Sequence, residues 1–434
     1  MRMIILNFIN KLKTVNAEDL AFFFFSMSAI FTVLGPSVHY SMWGLTLLTL
    51  IYSKVRNGSK LFLSVHCESK KTFVLLMLFA FWASVPNFFN AESTYIWAHG
   101  LSCYAEFVLG ILFTMRILNT EEKLDKFIKW FVIVNSIMAM LYTLSISSHF
   151  LGIPESFKMP NGSMINSNTS GAYAFMIFPL LIWYAFNKIE SHFIRILICI
   201  TSLAITLIST SSGAWLSVGI EGIILLYFII RFKKQKIKNL LLYLIIPFVV
   251  LAACSQITDN KAWTMVESEL MKDRIFLQGE TSLNNVTSGR YDIWRATLYM
   301  SKKHPAFGYG RKSYPYEYEK NLETFKQIIH DFDYTTIATH PHNMYLYTIF
   351  TGGIPAVLLL CSGYFLLICI ALKGLNNKKQ LFWSVIVLSI LLGNAIYGTN
   401  GDILEGRRDI AVILYTIIGV TLIIPNLSSD KLSQ

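Results

Sequence analysis

The chain has 434 residues, 54% of them hydrophobic and only 15% charged, with a formal net charge of +11. Apolar runs of helix-spanning length recur from end to end, which excludes a soluble domain of this size; continuous runs in place of short alternating strands exclude a barrel. What remains is an all-α polytopic membrane protein.

About twelve transmembrane helices are predicted, centred on 20–36, 40–53, 72–90, 95–115, 127–149, 171–187, 193–209, 213–231, 239–254, 353–372, 381–398 and 410–425. Arg2, Lys11 and Lys13 precede the first run, and no small-residue cleavage site follows Ala21 to Gly35, so it reads as an uncleaved span rather than a signal peptide. Lys54, Arg56, Lys60, Lys70 and Lys71 fall between spans two and three. Arg116, Lys123, Lys126 and Lys129 fall between four and five, and Arg231, Lys233, Lys234, Lys236 and Lys238 between eight and nine. Lys373, Lys378 and Lys379 lie on the same side, whereas the short loops opposite hold only Lys158, Arg407 and Arg408. By the positive-inside rule both termini are cytoplasmic. This asymmetry accounts for the net charge and gives no reason to invoke nucleic acid. Cys67, Cys103, Cys199, Cys254, Cys361 and Cys369 show no metal-type spacing and read as inert thiols.

Two connections on the non-cytoplasmic side stand out. One, Leu151 to Ser170, is rich in Pro, Gly, Asn and Ser. The other, from about Ser255 to His342, exceeds what a structureless connection reaches and must hold structure of its own. Three regions follow: an N-terminal membrane bundle (1–254), an outward-facing helical loop carrying the candidate site (255–342) and C-terminal membrane helices (343–434). Within the loop, Ser288 is placed to cap a helix from Arg290 to Met300 whose apolar positions include Ile293, Leu298 and Met300. The segment from His304 to Gly310, with its Pro and two Gly, ends it.

Two imidazoles at a membrane boundary, in Thr339-His340-Pro341-His342-Asn343, are the best candidates for chemistry. Pro341 forces residue 340 into an extended geometry, so the two rings are expected on opposite sides and not as a joint metal site. Asp331 and Asp333 are the neighbours a metal would need. Asn343 can cap the helix that follows. A histidine held at the mouth of a membrane helix can accept a proton from a sugar hydroxyl. The plain reading of Arg290 is a snorkelling or salt-bridged interface arginine, and that reading is stronger still for Arg295, Arg311 and Lys312. His39, His66, His149, His192 and His330 read as isolated loop or interface residues, and His304 as a turn residue. His99 and Glu106, seven apart, share a helix face and can pair; with Glu221 they are what a proton-coupled transporter would show.

The order of Ser288-Gly289-Arg290-Tyr291-Asp292-Ile293-Trp294, then His304 to Gly310, then His340-Pro341-His342-Asn343 with Leu346 and Gly352-Gly353, resembles the O-antigen ligase and polymerase superfamily of bacterial envelope glycosyltransferases. Thr210 to Leu216 and Asn166 to Gly171 resemble two further blocks of that family. The resemblance implies a GT-C-like fold with one large periplasmic loop, seated in the inner membrane. It implies transfer of a glycan from undecaprenyl diphosphate to an acceptor hydroxyl, with membrane lipids and a chain-length regulator as further partners, and with no cofactor and no metal. Carried over, His342 is the acceptor-activating base and Arg290 binds the diphosphate. His340, Asn343 and Arg295 are further substrate-binding candidates. Many members carry an arginine where Ser212 stands here, so Arg407, Arg408 or Lys158 would have to replace it.

Within the superfamily, a repeat-unit polymerase acts on another lipid-linked glycan and a ligase on the lipid A core; the serine at 212 favours the polymerase. The competing classes are a transporter or flippase, which would show pseudo-symmetric halves, and a noncatalytic envelope scaffold. No internal repeat is found.

Overall fold

The structure, a computed structural model, describes residues 16–62, 65–90, 94–151, 166–233, 290–329, 338–406 and 408–428, together with isolated positions such as Thr287 and Tyr243. The described residues form helices joined by turns, with no strand among them. In chain order they are α1 (Ala17–Ile30), α2 (Pro36–Asn57), α3 (Cys67–Asn90), α4 (Thr94–Ile117), α5 (Glu121–Leu151), α6 (Ser167–Lys188), α7 (His192–Ile208) and α8 (Ser212–Lys233). Then come α9 (Arg290–Lys303), α10 (Tyr314–Lys320), α11 (Leu322–Ile328), α12 (Met344–Gly374), α13 (Lys378–Tyr397), α14 (Ile403–Gly406) and α15 (Arg408–Ile423). Among the described residues, 8 helices are long and apolar enough to cross a membrane. The predicted ninth span, 239–254, lies outside the described segments.

Local sequence explains where the helices start. The side chains of Asn16, Asn166, Asn343 and Asn377 accept hydrogen bonds from first-turn amides at 3.0–3.1 Å, each satisfying a donor that a helix start leaves orphaned. Pro36 opens α2, where its missing N–H costs nothing, and Gly58 closes it in the left-handed conformation at φ 64°. The second span, predicted over 40–53, is therefore longer at both ends.

The helices form one bundle. α6 and the segment Ile410–Leu427 are its axis, each with 94% of its most apolar stretch buried, and α6 packs on α7 and α8. α15 crosses α4 where small residues permit close approach: Gly110 faces Tyr415 and Gly419 faces Thr114. The basic connections share one end of the bundle. There Arg116 donates to the Lys60 carbonyl at 2.9 Å and pairs with Glu18, and Lys188 pairs with Asp125 at 3.4 Å.

At the opposite end a second, smaller core forms under α9 to α11. Ala296, Met300, Tyr309, Tyr314, Tyr318 and Phe325 close against Tyr347 and Phe350 of α12. Tyr309 stacks on Phe350 at 4.9 Å between ring centroids, and Tyr314 shares a hydrogen bond of 2.7 Å with Thr297. Burial, reinforced by the Glu317 carboxylate, pushes the Tyr309 phenol up to about 12, so it stays protonated and donates to the Met300 carbonyl at 3.3 Å. Met300 is buried as predicted, but Leu298 is 44% exposed, because the buried face of α9 runs through Ala296, Thr297 and Met300.

A break in α12 joins this cap to the bundle. Pro355 has no N–H to give Thr351, and Gly353 adopts φ 72°, ψ −174°. The carbonyls so released find partners in the segment after α9. Tyr309 N donates to Phe350 O at 2.8 Å and Gly310 N to Thr351 O at 2.9 Å, while Ile354 N turns to Pro305 O at 2.8 Å. Trp82 Nε1 donates to the remaining carbonyl, Gly352 O, at 3.1 Å. A Cβ on Gly353 would come within 2.4 Å of the Ala306 carbonyl oxygen, a backbone atom that cannot swing away. Gly353→Ala is expected to cost about 2 kcal/mol or more, from strain at positive φ plus this clash. Gly219→Ala, where a Cβ meets nothing within 4 Å, should be neutral or stabilising. Thermal unfolding of the two variants in detergent would show the contrast, and equal melting temperatures would refute it.

Candidate functional site

The first turn of α9 carries Arg290. Thr287 caps it: its carbonyl accepts from Arg290 N at 3.1 Å and its hydroxyl from Tyr291 N at 2.9 Å. Ser288, the predicted cap, lies outside the described residues. The half-buried Arg290 guanidinium reaches the turn after α13. Nη1 donates to the Asn400 carbonyl at 3.1 Å and also to its side-chain oxygen, and Nη2 donates to Asn168 Oδ1 at 3.4 Å.

Residues 398–401 are thus a hub. Asn400 Nδ2 donates to Ser212 Oγ at 3.4 Å, and Asn343 Nδ2 to the Thr399 carbonyl at 2.9 Å. Met344 N is shared between Gly398 O at 2.8 Å and Gly401 O at 3.1 Å, and Tyr397 OH donates to Asn168 O at 2.9 Å. Asn168, Ser212, Arg290 and Met344 each lie in the first turn of a helix, so the starts of α6, α8, α9 and α12 meet at one place. Each start carries a partial positive charge of about half a proton. A guanidinium placed among them has the sign that a helix start disfavours, which makes the hub an anion-seeking locus. Its planar fork suits phosphate oxygens.

The histidines adjoin this hub. Trp294, four residues after Arg290 and so on the same face of α9, donates Nε1 to the Pro341 carbonyl at 2.9 Å. His340 and His342, flanking that proline, have ring centroids 3.9 Å apart, and Thr339 Oγ1 is 3.0 Å from His340 Nδ1. The expectation that the imidazoles diverge is corrected. His342 adopts φ 52°, and one left-handed residue cancels the alternation that an extended segment would impose. Asn343 caps α12 as expected, with Leu346 N donating to its Oδ1 at 3.0 Å.

Other candidates fall elsewhere. Arg295 is about 140° around α9 from Arg290; it pairs with Asp292 at 4.0 Å and donates to Ile328 O at 3.4 Å, so it faces α11. Lys158 and Arg407 lie outside the described residues, as does the side chain of Arg408. Asp331 and Asp333 also lie outside them; among the described residues no group of three acidic, His or Cys side chains could hold a metal. Arg311 is no surface arginine. Only 2% exposed, it donates Nη2 to Leu404 O at 2.8 Å, and its guanidinium lies 5.5 Å from the Tyr104 ring centroid. His39 is likewise buried within α2, against Tyr40 and Trp43. Glu106 accepts from Tyr40 OH at 2.9 Å, and Glu221 packs on Gly393. The residue that sequence reasoning missed is Asn400. Its signal is the Asn-Gly pair closing a membrane helix.

The apolar helices define a multi-pass helical membrane protein. Residues 196–361, which include Ser212, Arg290, His342 and Gly353, match the O-antigen ligase family. This match supports the resemblance to the O-antigen ligase and polymerase superfamily read from the sequence. No curated protein matches it.

Asn343 offers a test of how the hub is held. Asn343→Ala removes both the cap and the tie to Thr399 and should cost about 1–2 kcal/mol, whereas Asn343→Asp keeps the cap acceptor and should cost less. Thermal unfolding in detergent measures the order; the aspartate variant melting no higher than the alanine variant would argue against it.

Proposed function

We propose that the protein is a metal-independent glycosyltransferase that moves an undecaprenyl-diphosphate-linked glycan onto an acceptor sugar hydroxyl, as a repeat-unit polymerase. The observation that carries this reading is Arg290 at the meeting point of four helix starts, with the backbone between the paired His340 and His342 rings tied to Trp294 on the same face of α9. The donor diphosphate would sit at Arg290, with Asn343, His340 and the first-turn amides near it. His342 accepts the acceptor's hydroxyl proton as that oxygen bonds to the anomeric carbon. The bond from that carbon to the phosphate oxygen breaks, and the carrier diphosphate leaves with its charge held by Arg290 and the helix ends.

In this reading the bundle has about twelve spans of GT-C type in the bacterial inner membrane. The basic end and both termini face the cytoplasm, and the hub faces the periplasm. The 255–342 region is then the catalytic loop between the membrane segments 1–254 and 343–434. Arg407, Arg408 or Lys158 would supply the second phosphate-binding cation. The family description favours a second acceptor, the lipid A core, while Ser212 at the usual arginine position favours polymerisation.

Purified protein in lipid vesicles, supplied with a defined lipid-linked donor, tests both. His342→Ala and Arg290→Ala should each lower transfer about 10²–10³-fold or more without a matching loss of thermal stability. Wild-type rates in either variant would reject the mechanism, and no transfer even by the wild-type protein would favour a scaffold. Lipid translocation without transfer would favour a flippase. Elongation in the absence of core lipid identifies the polymerase, and transfer only onto core lipid identifies the ligase.

A further inference from the structure

A second polar cleft lies at the outward end, at the far end of α9 from the hub. It encloses about 330 Å³ and is lined by Asn90, Lys303, His304, Tyr309, Glu317, Lys320 and Asn321. Lys303 is thirteen residues from Arg290 on one helix, which separates the two sites by about 20 Å. The cleft is built from three elements: the end of α3, the end of α9 with its following turn, and α10 with the residue that closes it. Buried Asn321 ties two of them, accepting from Lys303 Nζ at 2.7 Å and donating to Glu317 O at 2.7 Å. Asn90 ties the third, donating to Gly308 O at 3.1 Å.

The lining alternates in hydrogen-bond character. Lys303 and Lys320 are donors. The Asn90 amide oxygen and the Glu317 carboxylate are acceptors, with Glu317 only loosely engaged by Lys320 at 3.8 Å. The His304 ring stands edge-on to Tyr309 at 4.5 Å, giving the cleft an aromatic wall. A phosphate would meet the Glu317 carboxylate, and a metal would find a single carboxylate between two ammonium groups. Donors and acceptors interleaved beside aromatic rings suit a ligand whose every hydroxyl both gives and takes a hydrogen bond.

We propose that this cleft is a saccharide-binding subsite, which holds a sugar residue of the glycan chain several units away from the bond being made. The inference rests on the glycan-transfer reading of the Arg290 hub and deepens it. A chain anchored at both points would be gripped at its reacting end and again about 20 Å along α9. Long glycans would then bind more tightly than single repeat units, through the effective concentration that the first contact creates for the second.

The test uses the full chain in nanodiscs. The probes are oligosaccharides released by mild acid from the host's own carrier lipid, fractionated into single units and longer chains, with inorganic pyrophosphate as a separate probe. Binding is read by titration calorimetry, and transfer by KM and kcat on short and long substrates. Glu317→Gln and Lys320→Ala should each weaken binding of the long oligosaccharide about tenfold and raise KM for long substrates. Single-unit transfer, pyrophosphate binding and thermal stability should stay unchanged. Long-chain binding that ignores both variants would overturn the subsite, as would pyrophosphate binding lost in Lys320→Ala. Transfer that proceeds while the variants change nothing sinks this proposal alone. Oligosaccharide binding that depends on Glu317 in a protein that never transfers from the lipid-linked donor sinks only the glycosyltransferase reading.

Discussion

A guanidinium lodged among the starts of four membrane-associated helices is electrostatically awkward, and the rest of the site is arranged around that fact. Helix starts repel a cation, and oxygen atoms offset this by accepting hydrogen bonds from the Arg290 guanidinium: the carbonyl and side-chain oxygens of Asn400, and Asn168 Oδ1. Those contacts join the turn after α13 to α6 and α9, and the bonds from Asn400 to Ser212 and from Asn343 and Met344 to residues 398–401 join it to α8 and α12. They also concentrate charge of one sign at the hub, which favours an anion there.

Such a site works only if α9 is held still. Its start is fixed by the hub and by the Trp294 bond to Pro341 O. Its far end is fixed by the segment 305–310, which pairs with the carbonyls that Pro355 and Gly353 release from α12. A proline in a membrane helix would ordinarily leave carbonyls unsatisfied in a medium without water. Here the defect is the attachment point: the break supplies acceptors, the Pro-Ala-Phe-Gly-Tyr-Gly segment supplies amides, and Gly308 and Gly353 allow the two backbones to approach. Two motifs that look unrelated in sequence are halves of one joint.

Most helix boundaries were legible in the sequence, since runs of about twenty apolar residues bounded by Asn, Ser or Pro have few other readings. Asn343 as a cap, the stop at His304 and Arg290 at the head of its helix were legible for the same local reason. The hub was not, because Asn400 is a turn residue separated from Arg290 by 110 positions, and no local pattern reports such a pairing. His340 and His342 were misjudged because one backbone torsion, φ 52° at His342, reverses the inference from alternation. Arg311 was misjudged because the groups that bury it, Asn87, Tyr104 and Leu404, come from three distant helices. Periodicity reports which face of a helix is apolar. It does not report what the neighbouring helix places opposite a polar residue.

Ser212, where many members of the superfamily carry arginine, fits this electrostatic scheme. An amide side chain can present either its oxygen or its nitrogen to a neighbour, and its partners decide which. Asn400 gives its nitrogen to Ser212 Oγ at 3.4 Å, and that choice turns its oxygen toward Arg290. A guanidinium at position 212 would offer only donors. It would compete with Arg290 for the Asn400 oxygens and add a second cation to a spot already crowded with positive helix ends. With a hydroxyl there, the hub itself keeps one strongly held arginine beside its backbone amides, and a second cation would have to come from outside the hub. A chain without an arginine at position 212 therefore depends more heavily on the geometry of residues 398–401, which makes Asn400 as much a part of the hub as the arginine it orients.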